Sequence, residues 1–149
     1  MKIELVSELG ARLPRGGGLL DFGATEADAR RRLESFGPPM PASFAPGGSW
    51  SWRVRVGNRW VEASAGGDGL LGEIRVARAI EAAADGADGA DGIPVAYRGI
   101  DLFEHTMAEV EFLLGAAGAG GVHDLRLTGI SGYAQSVTLL DLTRLHPHE

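Results

Sequence analysis

The stretch Trp50-Ser51-Trp52-Arg53-Val54-Arg55-Val56-Gly57-Asn58-Arg59-Trp60-Val61-Glu62-Ala63-Ser64-Ala65 decides the fold. Trp50, Trp52, Val54 and Val56 alternate with Ser51, Arg53 and Arg55, the period of a strand with one buried face. Gly57-Asn58 then supplies a two-residue hairpin turn. A turn of that length fixes a register in which Val56 faces Arg59, Val54 faces Val61 and Trp52 faces Ala63 on the core side. On the other face Arg55 pairs with Trp60 and Arg53 with Glu62. A slip of one residue exchanges the faces, so every statement about Trp60 depends on this turn. Gly66-Gly67-Asp68-Gly69 makes the next turn, and a third strand follows with Ile74 and Val76 inward and Glu73 and Arg75 outward. The expectation is an antiparallel meander.

Upstream, residues 2–6 read as extended. A punctuated stretch through Pro14 and Gly16-Gly17-Gly18 leads to a short strand over residues 19–22. Thr25 followed by Asp28 is a capping box. Ala29, Leu33 and Phe36 share one face of the helix it opens, with Arg30, Arg31, Arg32 and Glu34 off that face, and Gly37-Pro38-Pro39 ends it. Downstream, residues 82–92 repeat Ala, Asp and Gly with nothing apolar larger than alanine, which predicts a linker over residues 82–94.

Beyond the linker the earlier pattern returns. At one constant offset, Leu19, Phe22, Thr25, Asp28, Ala29 and Leu33 correspond to Ile100, Phe103, Thr106, Glu109, Val110 and Leu114, and Gly115 closes the second helix. Strands are expected over residues 122–128 and 133–142, with residues 146–149 as a tail. The fold class read from this order is α+β: two tandem strand-helix-antiparallel-meander units, residues 1–81 and 95–145, in a single domain with the helices on one face of antiparallel sheet.

The segment from His105 through Thr106, Glu109, Val110, Leu113 and Leu114 to Gly115 resembles the helix signature shared by the β-lactamase inhibitory protein and small outer-membrane-assembly lipoproteins. Gly23-Ala24-Thr25 and Gly37-Pro38 bracket a looser match in the first helix. In the inhibitor two such units form a concave sheet that grips an enzyme, so the resemblance implies a non-catalytic, protein-binding role.

Composition bounds the alternatives. With 149 residues, 44% hydrophobic and 23% charged, the chain is long enough to bury a core of its own. The absence of cysteine excludes a disulfide framework, a thiolate zinc site and a cysteine nucleophile. No apolar run approaches the roughly 20 residues that cross a bilayer. The opening Met1-Lys2-Ile3-Glu4-Leu5, with its early acid, does not read as a secretory signal, so a cytoplasmic protein without a membrane partner is expected. Twenty acids against 14 bases give a net charge of −6, which disfavours nucleic acid and suits a basic protein partner.

No motif points to a catalytic group, a metal or a cofactor. His146 and His148 lie in the tail, and His105 with Glu109 supplies only two potential ligands where a metal site needs more. The glycines from Gly115 to Gly121 follow a helix and precede a strand, the reverse of a phosphate loop. Asp85, Asp88 and Asp91 lack the alternation and closing glutamate of a calcium loop. Gly129-Ile130-Ser131-Gly132 reads as a turn and lacks the spacing of a nucleophile elbow.

The functional reading therefore rests on the face carrying Arg53, Arg55, Trp60 and Glu62, because Trp and Arg are enriched at binding hot spots. An inhibitor or immunity-type protein fits it. The alternative is a small-molecule binder or small enzyme with a pocket between the units, to which His123 and Tyr133 contribute. A homodimer through the same sheet face is the third possibility.

Overall fold

In the computed structural model, residues 2–41, 50–79, 93–116, 124–129 and 132–142 are described. They form an α+β, mostly β, fold of two helices and two sheets. In chain order the elements are β1 (Ile3–Val6), β2 (Gly10–Leu13), β3 (Gly18–Asp21), α1 (Glu26–Glu34), β4 (Met40–Pro41), β5 (Ser51–Val56), β6 (Arg59–Ala65), β7 (Leu71–Arg78), β8 (Val95–Tyr97), β9 (Ile100–Asp101), α2 (Met107–Ala116), β10 (Leu125–Thr128) and β11 (Ser136–Leu140). One sheet runs β3-β2-β1-β8-β9, antiparallel except where β1 pairs with β8, and the other runs β10-β11-β7-β6-β5-β4, antiparallel throughout. Among the described residues no helix is long and apolar enough to cross a membrane.

The central hairpin takes the register its turn dictates: Val56 lies opposite Arg59, Arg55 opposite Trp60, Val54 opposite Val61, Arg53 opposite Glu62 and Trp52 opposite Ala63. Gly57 adopts φ 61°, the left-handed conformation a tight hairpin requires at its first turn position. Val54, Val56, Val61, Ala63, Ile74 and Val76 are all buried on the inner face. Trp50 and Trp52 pack half-buried against that core. Each finds an acceptor for its indole N–H, Gly69 O at 2.8 Å and Glu26 Oε2 at 2.8 Å respectively, so the rings close the core with their polar ends outward.

Both helix starts are capped as their sequences require. Thr25 Oγ1 accepts from the Asp28 amide at 3.2 Å, and the Asp28 carboxylate accepts from Arg31 at 3.1 Å. At α2 the box is reciprocal, because glutamate is one methylene longer: Thr106 Oγ1 accepts from the Glu109 amide at 3.1 Å, and Glu109 Oε1 accepts from the Thr106 amide at 2.9 Å. Ala29, Leu33, Val110 and Leu114 are buried, and Phe36 packs partly buried on the same core.

The structure departs from the sequence reading in the first sheet. Residues 10–13, expected as part of a punctuated loop, form β2 with Ala11 and Leu13 buried. Arg15 at φ 54° with Gly16 at φ 74°, and Arg98 at φ 53° with Gly99 at φ 81°, make the turns into β3 and β9. Arginine seldom takes this conformation, which explains why neither turn was legible. At the far end of the expected linker, Ile93 N–H donates to Asn58 Oδ1 at 3.1 Å and Pro94 O accepts from the Ile3 amide at 2.9 Å, so both residues belong to the fold. Residues 82–92 of that linker, and residues 146–149, lie outside the described residues.

Two arginines are buried on the inner face. Arg59 and Arg78 are opposite each other across β6 and β7, and are 1% and 6% exposed. Their guanidinium carbons lie 4.3 Å and 4.9 Å from the centroid of the Phe103 ring. Arg59 Nε donates to Ile93 O at 3.0 Å, while Arg78 donates through Nε to Ala134 O at 2.8 Å and through Nη2 to Phe103 O at 2.9 Å.

Two outcomes are expected. Arg78→Met strips two buried carbonyls of a charged donor and should cost about 3 kcal/mol in urea unfolding. Arg78→Lys should recover little of this, because an ammonium does not reproduce the planar fork. The hydrogen bonds from Thr106 hold the Glu109 carboxyl below its ordinary value of 4.5. Its contribution is therefore present above about pH 4.5 and is lost as pH falls through the folded value. Glu109→Gln should flatten that part of the acid limb of stability against pH.

Candidate protein-binding face

Because the buried residues fix which side of the second sheet faces the core, the alternate positions are committed to the other side. Continuous pairing places Arg126, Thr138, Arg75, Glu62, Arg53 and Met40 in one row across β10, β11, β7, β6, β5 and β4. The next row holds Thr128, Ser136, Ala77, Trp60 and Arg55. All four residues singled out from the sequence, Arg53, Arg55, Trp60 and Glu62, therefore come together on one face.

Trp60 is the centre of that group. The Arg53 guanidinium carbon lies 4.4 Å from its ring centroid and that of Arg55 5.6 Å, both at stacking distance. Arg55 Nε also donates to Gly57 O at 2.8 Å, which ties its stem to the turn. Arg75 Nη1 donates to Glu62 Oε2 at 2.9 Å, with the glutamate side chain only 13% exposed and the arginine 43%. The Nε of Arg53 is enclosed and, among the described residues, donates to no acceptor. A buried donor left open in this way costs free energy unless a partner supplies an acceptor. On this face β5, β6, β7 and β10 present Arg53, Arg55, Arg75 and Arg126 against Glu62 and Glu73, so it is cationic although the chain is acidic.

The residues of the alternative pocket are not assembled in the same way. Tyr133 is half-buried and bridges Thr106 beside the start of α2, and His123 lies outside the described residues. His105 Nδ1 stands 4.0 Å from Glu109 Oε1. Among the described residues no group of three or more His, Asp or Glu side chains is placed to hold a metal ion.

Two features escaped the sequence reading. Phe112 is 75% exposed on α2 and lines a surface hollow of about 460 Å³ with His105, Ala108, Glu109 and Leu113. The signal was available: α2 is apolar on nearly every side, with no polar stripe to mark an outer face. The second is a part-buried hydroxyl cluster in which Tyr97 OH lies 2.6 Å from Ser7 Oγ and donates to Asp124 Oδ1 at 3.0 Å, joining the two sheets. Its members are distant in sequence and follow no local pattern.

No family model, curated protein or solved structure matches the chain.

Burial pushes the Tyr97 phenol above its ordinary value of 10.0, and the neighbouring Asp124 charge adds to the effect. Tyr97 therefore favours the folded state fully below about pH 10, and the contribution is lost as pH rises through the folded value. Tyr97→Phe should abolish this alkaline limb in unfolding measured between about pH 9 and pH 11, while lowering stability at neutral pH through loss of the two hydroxyl contacts.

Proposed function

We propose that this chain is a non-catalytic protein-binding module, of inhibitor or immunity type and cytoplasmic, that makes its contact through Arg53, Arg55, Trp60 and Glu62. The observation that carries the reading is the half-exposed Trp60 stacked by two arginines. Trp and Arg are the residues that dominate binding energy at interfaces.

The proposal includes an internal duplication. Two hairpins, β2-β3 and β8-β9, flank β1 in the first sheet, and each outer strand leads into a threonine-capped helix followed by strands of the second sheet. This parallels the constant offset between the two halves of the sequence, and the resemblance to the tandem inhibitor agrees with it. In this reading each half contributes to both sheets.

The test compares stability with partner capture. Trp60→Ala and Arg55→Ala should lower recovery of partner proteins at least about fivefold, with unfolding free energy changed by less than about 1 kcal/mol. Strong unfolding by Trp60→Ala instead makes that ring part of the core and removes the proposed surface.

A further inference from the structure

The acidic total charge suggests a basic partner, but the face has the opposite sign. Its row of cross-strand positions alternates in kind: Arg126, Thr138, Arg75, Glu62, Arg53. Neighbouring strands lie about 4.8 Å apart, so the three arginines, each two strands from the next, follow one another at about 10 Å. A polyproline-type chain repeats every three residues and advances about 9 Å per turn, which brings every third side chain to the same side at nearly that spacing. A β-strand does not match, since its residues three apart point to opposite faces.

We infer that this face holds an extended, polyproline-type acidic segment of a partner protein, whose carboxylates at every third residue meet Arg126, Arg75 and Arg53. The inference rests on the binding reading above and supplies its partner chemistry. Arg53 is held by its stack on Trp60 at 4.4 Å, Arg75 is held in position by Glu62 at 2.9 Å, and Arg126 is exposed on the edge strand. Glu62 lies between Arg75 and Arg53 and repels a carboxylate placed there, so it selects spaced acids over contiguous ones. Single-stranded nucleic acid suits the face less well. Its bases need bare rings, whereas Trp60 is already stacked by guanidiniums, and Glu62 and Glu73 interrupt the positive charge.

The probe is a fluorescein-labelled Glu-Pro-Pro repeat peptide, compared by anisotropy with a peptide of the same composition whose glutamates are contiguous, and with a short oligothymidylate. At about 50 mM salt the repeat peptide should bind about fivefold tighter than the contiguous one, and about 300 mM salt should weaken it. Arg126→Ala, on an exposed edge, and Arg53→Ala should each weaken the repeat peptide several-fold, with a melting curve confirming that both variants fold. Glu62→Gln should narrow the gap by admitting the contiguous peptide. Equal binding of the two peptides, no binding of the repeat, or tighter binding of the oligothymidylate overturns the inference. Partner capture that still depends on Trp60 while the repeat peptide fails overturns only this inference. Unfolding by Trp60→Ala overturns the wider reading and leaves the peptide comparison intact.

Discussion

Two guanidiniums buried side by side against one phenyl ring set the terms for the rest of this structure. Like charges at adjacent strand positions repel strongly once water is removed, and fixed dipoles and π-density help to replace the lost hydration of Arg59 and Arg78. Phe103 supplies the ring, and the carbonyls of Ile93, Phe103 and Ala134 supply the dipoles. Those carbonyls belong to the segments that lead into β8, α2 and β11. The demand for hydrogen bonds at the centre of the sheet is therefore what gathers the second part of the chain onto it.

The consequence reaches the opposite side of the sheet. With Arg59 and Arg78 turned inward alongside Val61 and Val76, the pleat leaves Trp60, Glu62 and Arg75 no choice but the outer side. Charge is thus present on both faces, under different constraints. Inside, backbone carbonyls accept from Arg59 Nε and from Arg78 Nε and Nη2, which fixes both side chains. Outside, Arg53 stacks on Trp60 and Arg75 donates to Glu62 while its side chain stays 43% exposed, an arrangement that holds the side chains while leaving Arg75 within reach of another molecule.

The second sheet was legible because its information is local. Period-two alternation and a glycine at the turn fix the β5-β6 register without knowledge of any other element, and threonine followed by an acid fixes both helix starts. Four strand positions of the candidate face follow directly from that register. The first sheet was obscured because β2 and β8 are short, and because their hairpins place arginine in the left-handed conformation just before a left-handed glycine. The inward direction of Arg59 was implied by its pairing with Val56, but its partners come from residues far along the chain. The Ser7, Tyr97 and Asp124 cluster is illegible for the same reason, since tertiary packing alone creates it.

Total charge misleads here because acids and bases have been given different duties. Glu26, Asp28 and Glu109 stand in the first turns of helices, where a carboxylate meets unpaired amides and the positive end of the helix dipole. Asp85, Asp88 and Asp91 add further negative charge within the low-complexity tract. Glu26, Asp28 and Glu109 all lie off the outer rows of the second sheet, where arginine predominates. A net charge of −6 governs solubility and long-range repulsion, but recognition is decided within about a Debye length, roughly 8 Å at physiological salt. At that range an incoming chain meets Arg126, Arg75 and Arg53 in a row, and the sign it must carry is set by them.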